Sequence, residues 1–211
     1  MKRVLTVLVS LVVVLAIGVG GYVYSKQPTR QGQVELQRLQ GSVTVRYDER
    51  GVPHIRAENE IDLYRALGYV QAQDRLFQTE ARRRLARGEL AEILGPKLID
   101  TDKLFRSLRI RERAASYVAA LDRQSPAWKA LEAYLDGINQ YQDTHAAPAE
   151  FDVLGIHKRP FTAEDSISVA GYMAYSFAAA FRTEPLLTFV RDQLGPNYLN
   201  VFDLDWQPKG V

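Results

Sequence analysis

The stretch GYVQAQDRLFQTEARRRLARGELAEILG, residues 68–95, decides how the chain is read. At roughly 100° per residue, Leu63, Leu67, Val70, Phe77, Ala81 and Leu85 recur on one side of a helix, so the segment predicts a long amphipathic helix. Asp74 projects into that stripe. A carboxylate there is either a group kept for chemistry or a polar anchor that must find a partner, because an unpaired buried charge is too costly.

Working outward, Asn59 supplies an N-cap and Gly88 a stop, which bounds the helix at about 60–87. Leu90, Ile93 and Leu94 continue an apolar face to Gly95-Pro96. Arg82, Arg83, Arg84 and Arg87 lie among Glu80, Glu89 and Glu92, a pattern expected of a solvated, ion-paired face rather than an anion site. Upstream, Val43, Val45 and Tyr47 alternate with polar residues, DERGVP offers turn chemistry and HIRA resumes an extended run: a β-hairpin. Downstream, Thr101 can cap a helix carrying Leu104, Leu108, Ala115, Val118 and Leu121. Ser125-Pro126 opens another helix, bearing Trp128, Leu131, Leu135 and Ile138. HAAPAEFDVLGIHKRPF reads as a loop, and Thr162 with Asp165 forms a capping box for the apolar helix that follows. Ile167, Ala170, Ala174, Phe177 and Phe181 recur at helical spacing along it. LLTFVRDQLG reads as a last short helix ending at Gly195-Pro196. After the hairpin, strand signal is nearly absent, so the fold class is mainly α with a short N-terminal β-hairpin.

The chain has 211 residues, with 27 Lys and Arg against 25 Asp and Glu. A formal charge of +2 gives no nucleic-acid footprint. The absence of cysteine removes disulfides, thiolate metal sites and a Cys nucleophile together. His54, His145 and His157 lack the i, i+3 or i, i+4 spacing of paired metal ligands. The carboxylate pairs Asp100 and Asp102, and Asp203 and Asp205, are a common loop feature rather than a metal site.

The N-terminus carries Lys2 and Arg3, then an uncharged run from Val4 to Tyr24, long enough to cross a bilayer core as a helix. Residues 1–25 are therefore expected to be a transmembrane signal anchor or a signal peptide, and the missing A-x-A-like site favours the anchor. The positive-inside rule sends the rest across, to the periplasmic side of a bacterial inner membrane or to the periplasm if the segment is cleaved. Residues 26–41, polar with Pro and Gly, are expected to be a tether, and 42–211 the folded domain.

The sequence carries no recognisable catalytic constellation. No serine sits in a G-x-S-x-G elbow, no histidine is placed as a base, and there is no phosphate-binding Gly-rich loop. In order along the chain, RYDERGVPHIRA, the 68–95 stretch and EFDVLGIHKRPFTAEDS resemble the N-terminal, α-chain portion of the penicillin acylase family of N-terminal-nucleophile hydrolases. That family includes acyl-homoserine-lactone acylases.

The resemblance implies a four-layer αββα enzyme of which this chain is the α part. The nucleophilic serine would lead a separate β chain, with its own α-amino group as base, and the isolated chain would be inactive. The implied partners are that β chain and a small N-acyl amide substrate. Met173 and Phe177 align with residues lining the family's acyl pocket, whereas periodicity alone makes both of them core. Ser176 stands where the best-known penicillin G acylases have Arg, which weakens a penicillin G specialist reading and leaves room for aliphatic acyl chains. Glu184 falls where the family places a carboxylate ligand to a structural calcium; no cofactor is implied for the chemistry. A stand-alone membrane-anchored helical scaffold, an orphan fragment and a self-sufficient all-α enzyme are the rival readings. With no nucleophile in the chain, Asp74 is expected to be an anchor, held by backbone amides or by an Arg of another segment.

Overall fold

The computed structural model describes residues 2–28, 30–178 and 180–202, with 2–8, 180–182 and 202 as backbone only. Helix α1 spans Lys2–Ser25. A two-stranded antiparallel hairpin follows, β1 (Thr44–Tyr47) with β2 (Pro53–Arg56), in the register Val45 to Ile55. The helices after it are α2 (Glu60–Arg87), α3 (Ala91–Leu94), α4 (Ile99–Ser107), α5 (Ile110–Ala120), α6 (Pro126–Thr144), α7 (Ala149–Leu154), α8 (Ala163–Phe177) and α9 (Ala180–Leu194). Short 3-10 turns cover Pro96–Leu98 and Pro196–Phe202. The chain divides into two units, residues 1–169 and 170–211.

Local chemistry explains most of the boundaries. The Asn59 side chain accepts from the Asp62 N–H to start α2, and Gly88, at φ 66°, ends it in the left-handed region. Ser125 accepts from the Trp128 N–H at the start of α6. Thr162 and Asp165 satisfy each other's backbone N–H at the start of α8, as a capping box requires.

Other boundaries differ from expectation. The helix placed after Thr101 begins earlier, at Ile99, and breaks into α4 and α5 at Arg109, whose φ is 54°. Asp102 is used elsewhere: its carboxylate accepts from the Leu90 and Ala91 N–H groups, capping α3 from outside. The segment 145–161 is not all loop, because α7 forms within it. Both α9 and the turn after Gly195 extend beyond what the sequence suggests.

The first unit is built on a crossing of α2 and α6. A Cβ added to Gly68 would stand 1.9 Å from the Tyr134 carbonyl oxygen, and one added to Gly137 would stand 1.9 Å from the Arg65 carbonyl oxygen. The two backbones touch, which no residue larger than glycine permits. Around this contact Tyr69, Ala72 and Leu76 of α2 pack with Trp128, Leu135, Ile138 and Tyr141 of α6, while Val118, Phe151 and Phe161 close the periphery. Full burial of a side chain such as Ile138 or Phe151 contributes about 1.5–3 kcal/mol.

The crossing also fixes which side of α2 faces inward. The buried positions run through Asp62, Arg65, Ala66, Tyr69, Ala72, Leu76, Glu80 and Arg83, whereas Leu67 is exposed. The expected stripe is thus rotated, because the close approach at Gly68 outranks the larger side chains beside it. At Arg75 (φ −142°, ψ 27°) α2 kinks, one residue after Asp74.

The segment expected to be a tether is held along the domain. Arg30 reaches Asp74 at 3.2 Å, the Gln37 N–H donates to Gln140 Oε1, Arg38 pairs with Asp136, and the Gln40 and Gly41 N–H groups donate to Asp62.

Candidate functional site

Of the residues singled out by the sequence, Met173, Ser176, Phe177 and Glu184 lie in the second unit and Asp74 in the first. Met173 and Phe177 lie one helical turn apart at the end of α8, hence on one side of it. Met173 is 50% exposed and Phe177 82% exposed. Periodicity would make them core; among the described residues nothing covers them. Ser176, also exposed, donates its hydroxyl to the Tyr172 carbonyl at 3.0 Å, a bond within its own helix. Glu184 is exposed on α9, where Leu186 and Phe189 are exposed too. Val190 is buried, and after the turn at Gly195 (φ 95°) the 3-10 stretch carries exposed Tyr198 and Val201. Expectations for Asp203 and Asp205, and for the side chain of Phe181, fall outside the described residues.

Calcium takes six to eight oxygens. Among the described residues no group of three or more His, Cys, Asp or Glu could hold a metal ion. Glu184 is thus not part of such a group among the described residues. The histidines serve other ends: His54 meets Asp48 at 3.3 Å, His145 stacks on Tyr141 with ring centroids 4.5 Å apart, and His157 is exposed.

The arginine cluster corrects a second expectation. Arg83, Arg84 and Arg87 are ion-paired but turned inward, whereas Arg82 is exposed as expected. Arg83 and Glu80 are fully buried and bonded to each other; Arg84 bonds Glu80 at 2.7 Å, and Arg83 and Arg87 both reach Asp165. Arg159 pairs with Glu89 at 2.8 Å, and the Arg83 guanidinium lies 3.9 Å from the centre of the Phe161 ring. Burial pushes the Arg83 pKa down, while Glu80 and Asp165 oppose that shift. For Glu89, burial acts to raise the carboxyl, but Arg159 and Arg87 outweigh it and hold it below the usual range. This network ties the end of α2 to the start of α8. The spacing of Glu80 to Arg83 and Arg84 was a legible signal for pairing; the burial was not.

Asp74 behaves as the sequence suggests. Its partner is Arg30, an arginine from another segment, and the same guanidinium sits 5.2 Å from the centre of the Tyr47 ring. Nearby, a cavity of about 440 Å³ opens between residues 30–39, β1 and α2, lined by Val34, Leu36, Val45, Tyr47 and Tyr69 among others.

Asp152 was missed. It accepts from Tyr22 Oη at 2.7 Å and from Lys26 Nζ at 2.6 Å, and these two donors hold its carboxyl below the usual range. No periodicity in the sequence connects a residue in a Pro- and Gly-bounded segment to the end of α1.

The described residues thus form a mainly helical chain with one hairpin and with exposed apolar residues at the end of α8. The chain belongs to the penicillin amidase family, whose model matches residues 42–208. It is 39% identical over 143 residues to the penicillin acylase 2 proenzyme of a Pseudomonas species (strain SE83), covering 67% of this chain and 18% of that protein. It is 33% identical over 167 residues to the acyl-homoserine lactone acylase QuiP of Pseudomonas putida, covering 78% of this chain and 20% of that one. A thermostable penicillin G acylase from Alcaligenes faecalis is similar in structure, with a TM-score of 0.60 and 27% identity over 81% of this chain and 95% of that solved chain. The chain thus spans about a fifth of the length of these curated relatives.

Proposed function

We propose that this chain is the N-terminal, α-chain portion of an acylase that hydrolyses the amide of an N-acyl compound, a β-lactam side chain or an acyl-homoserine lactone. The nucleophilic serine then leads a β chain cut from the same precursor, and the two chains form a heterodimer. One observation carries the reading: the chain covers 95% of a solved penicillin G acylase chain yet only 18% of a penicillin acylase proenzyme. It matches one part of such an enzyme, not the whole.

Met173 and Phe177 then line the acyl pocket, which suits apolar side chains left open in the chain by itself. Ser176 beside them offers no cation for a carboxylate. Glu184 supplies one carboxylate to a structural calcium whose other oxygens come from the β chain. No cofactor takes part in the chemistry.

The α1 segment anchors the enzyme on the periplasmic side of the inner membrane. Among the described residues no helix is long and apolar enough to cross a membrane. The uncharged run in the sequence begins at Val4, however, whereas side chains are described only from Val9. What supports the anchor is that Val9, Leu11, Val12, Val13, Val14, Leu15 and Ile17 are all exposed, so no face of the helix is covered.

The test is co-expression of this chain with the coding sequence that follows it. Amide hydrolysis by the assembled enzyme is expected, with Met173→Ala and Phe177→Ala raising KM for the acyl substrate. The chain alone should show none. Assembly without any amide hydrolysis, or hydrolysis by the chain alone, defeats the reading.

A further inference from the structure

Resting on the membrane-anchor part of the reading above, we propose that α7 and the loop before it are the face the domain presents to the lipid bilayer, set there by a clamp of Tyr22 and Lys26 on Asp152. Tyr22 lies in the last turn of α1 and Lys26 directly follows its end, and both reach the same carboxylate. The Tyr22 hydroxyl donates to Asp152 at 2.7 Å. Lys26 donates to the same carboxylate and to the Ala147 carbonyl at 2.8 Å. The Lys26 ammonium also lies 5.3 Å from the centre of the Tyr22 ring. The Lys26 side chain is 15% exposed, so the ammonium is docked on the domain rather than solvated on a free linker.

The occupant of the uncovered α1 surface is a bilayer for three reasons. The helix spans 24 residues, about 36 Å at 1.5 Å per residue, against a hydrocarbon core of about 30 Å. Five consecutive side chains, Leu11 to Leu15, are exposed, leaving no polar side for water. Lys2 and Arg3 stand at one end, and Tyr22, Tyr24 and Lys26 at the other, the residue types that sit at the two interfaces. With α1 in the membrane, a clamp at its last turn brings Asp152 to the headgroups. Val153, next in the chain and 81% exposed, is then an apolar side chain at headgroup depth.

Because the chain has no cysteine, single cysteines label cleanly. The full chain carrying an environment-sensitive fluorophore at Val14→Cys, Val153→Cys or Asp100→Cys is placed in vesicles of phosphatidylethanolamine and phosphatidylglycerol. Each sample contains either an acyl-chain or a headgroup quencher. The Val14 probe is expected to be quenched from the acyl chains, the Val153 probe from the headgroups, and the Asp100 probe from neither. Adding Asp152→Ala should remove headgroup quenching at Val153 and leave Val14 quenched. A quenched Val14 probe with an unquenched Val153 probe, equal quenching at Val153 and Asp100, or no effect of Asp152→Ala overturns the proposal and spares the anchor. An unquenched Val14 probe overturns both.

Discussion

Gly68 of α2 and Gly137 of α6 hold matching positions at one helix crossing, each lying against the carbonyl of the other helix, at Tyr134 and Arg65. Gly68→Ala and Gly137→Ala each put a methyl group 1.9 Å from an oxygen, and the helices must separate. Overpacking of this kind costs about 1–3 kcal/mol. Chemical denaturation of either variant should show the loss, and the double variant should lose less than the sum, because a crossing opened once admits the second methyl group. Wild-type stability in both single variants would show that the helices do not touch there.

Arg83 is the cation on which the end of α2 depends. Arg83→Met leaves Glu80 and Asp165 buried with less compensation, and removing one partner of a buried pair costs about 3–5 kcal/mol. Far-UV circular dichroism melts should drop sharply for Arg83→Met. Replacing Glu80, Arg83 and Asp165 together by apolar residues of similar volume should recover part of the loss. A triple variant worse than the single one would mean that the network is net stabilising.

Asp74 and Arg30 form a partly exposed pair, for which a coupling of about 0.2–1 kcal/mol is expected. A double-mutant cycle with Asp74→Ala and Arg30→Ala measures it. Asp74→Ala should lower yield or maturation of the assembled enzyme without changing turnover per matured molecule. Normal maturation with lost turnover would instead make Asp74 a participant in the chemistry.

Stability should fall in acid. Burial alone would raise the Asp62 carboxyl, but Asn59, the Gln40 and Gly41 N–H groups and Arg65 outweigh it and hold it low; Glu89 is held low by Arg159 and Arg87. A group depressed in the folded state stabilises the fold above its unfolded pKa, about 3.9 for Asp and 4.3 for Glu. That contribution disappears as pH falls through the lower folded value. Urea midpoints should be flat near neutrality and drop below about pH 4. Asp62→Asn should flatten the acid limb; an unchanged limb would place the effect elsewhere.

Much of the fold was legible where short-range chemistry decides it. The Asn59 and Ser125 caps, the Gly88 stop, the Thr162–Asp165 box and the DERGVP turn each act within a few residues, and each bounds an element where expected. What depended on contact between distant segments was not legible. Hydrophobic period placed Leu67 inward, but the Gly68 approach to α6 turned it outward, and Arg83 and Arg84, which read as part of a solvated face, are held inside by Glu80 and Asp165. The candidate site was reached through family motifs alone. Periodicity alone would have buried Met173 and Phe177, and both are exposed.

The segment from Arg30 to Gly41 has a kinetic consequence. Synthesised early, it finds its α6 partners about a hundred residues later: Gln37 meets Gln140 across 103 positions and Arg38 meets Asp136 across 98. A chain emerging N-terminus first holds these residues without their acceptors until α6 has left the ribosome. The closure entropy of so long a loop must be met before the contacts return anything. Gln37 and Arg38 are therefore among the last residues to settle, and a pause in translation before α6 would leave them without their partners while Gln40 and Gly41 already dock on Asp62.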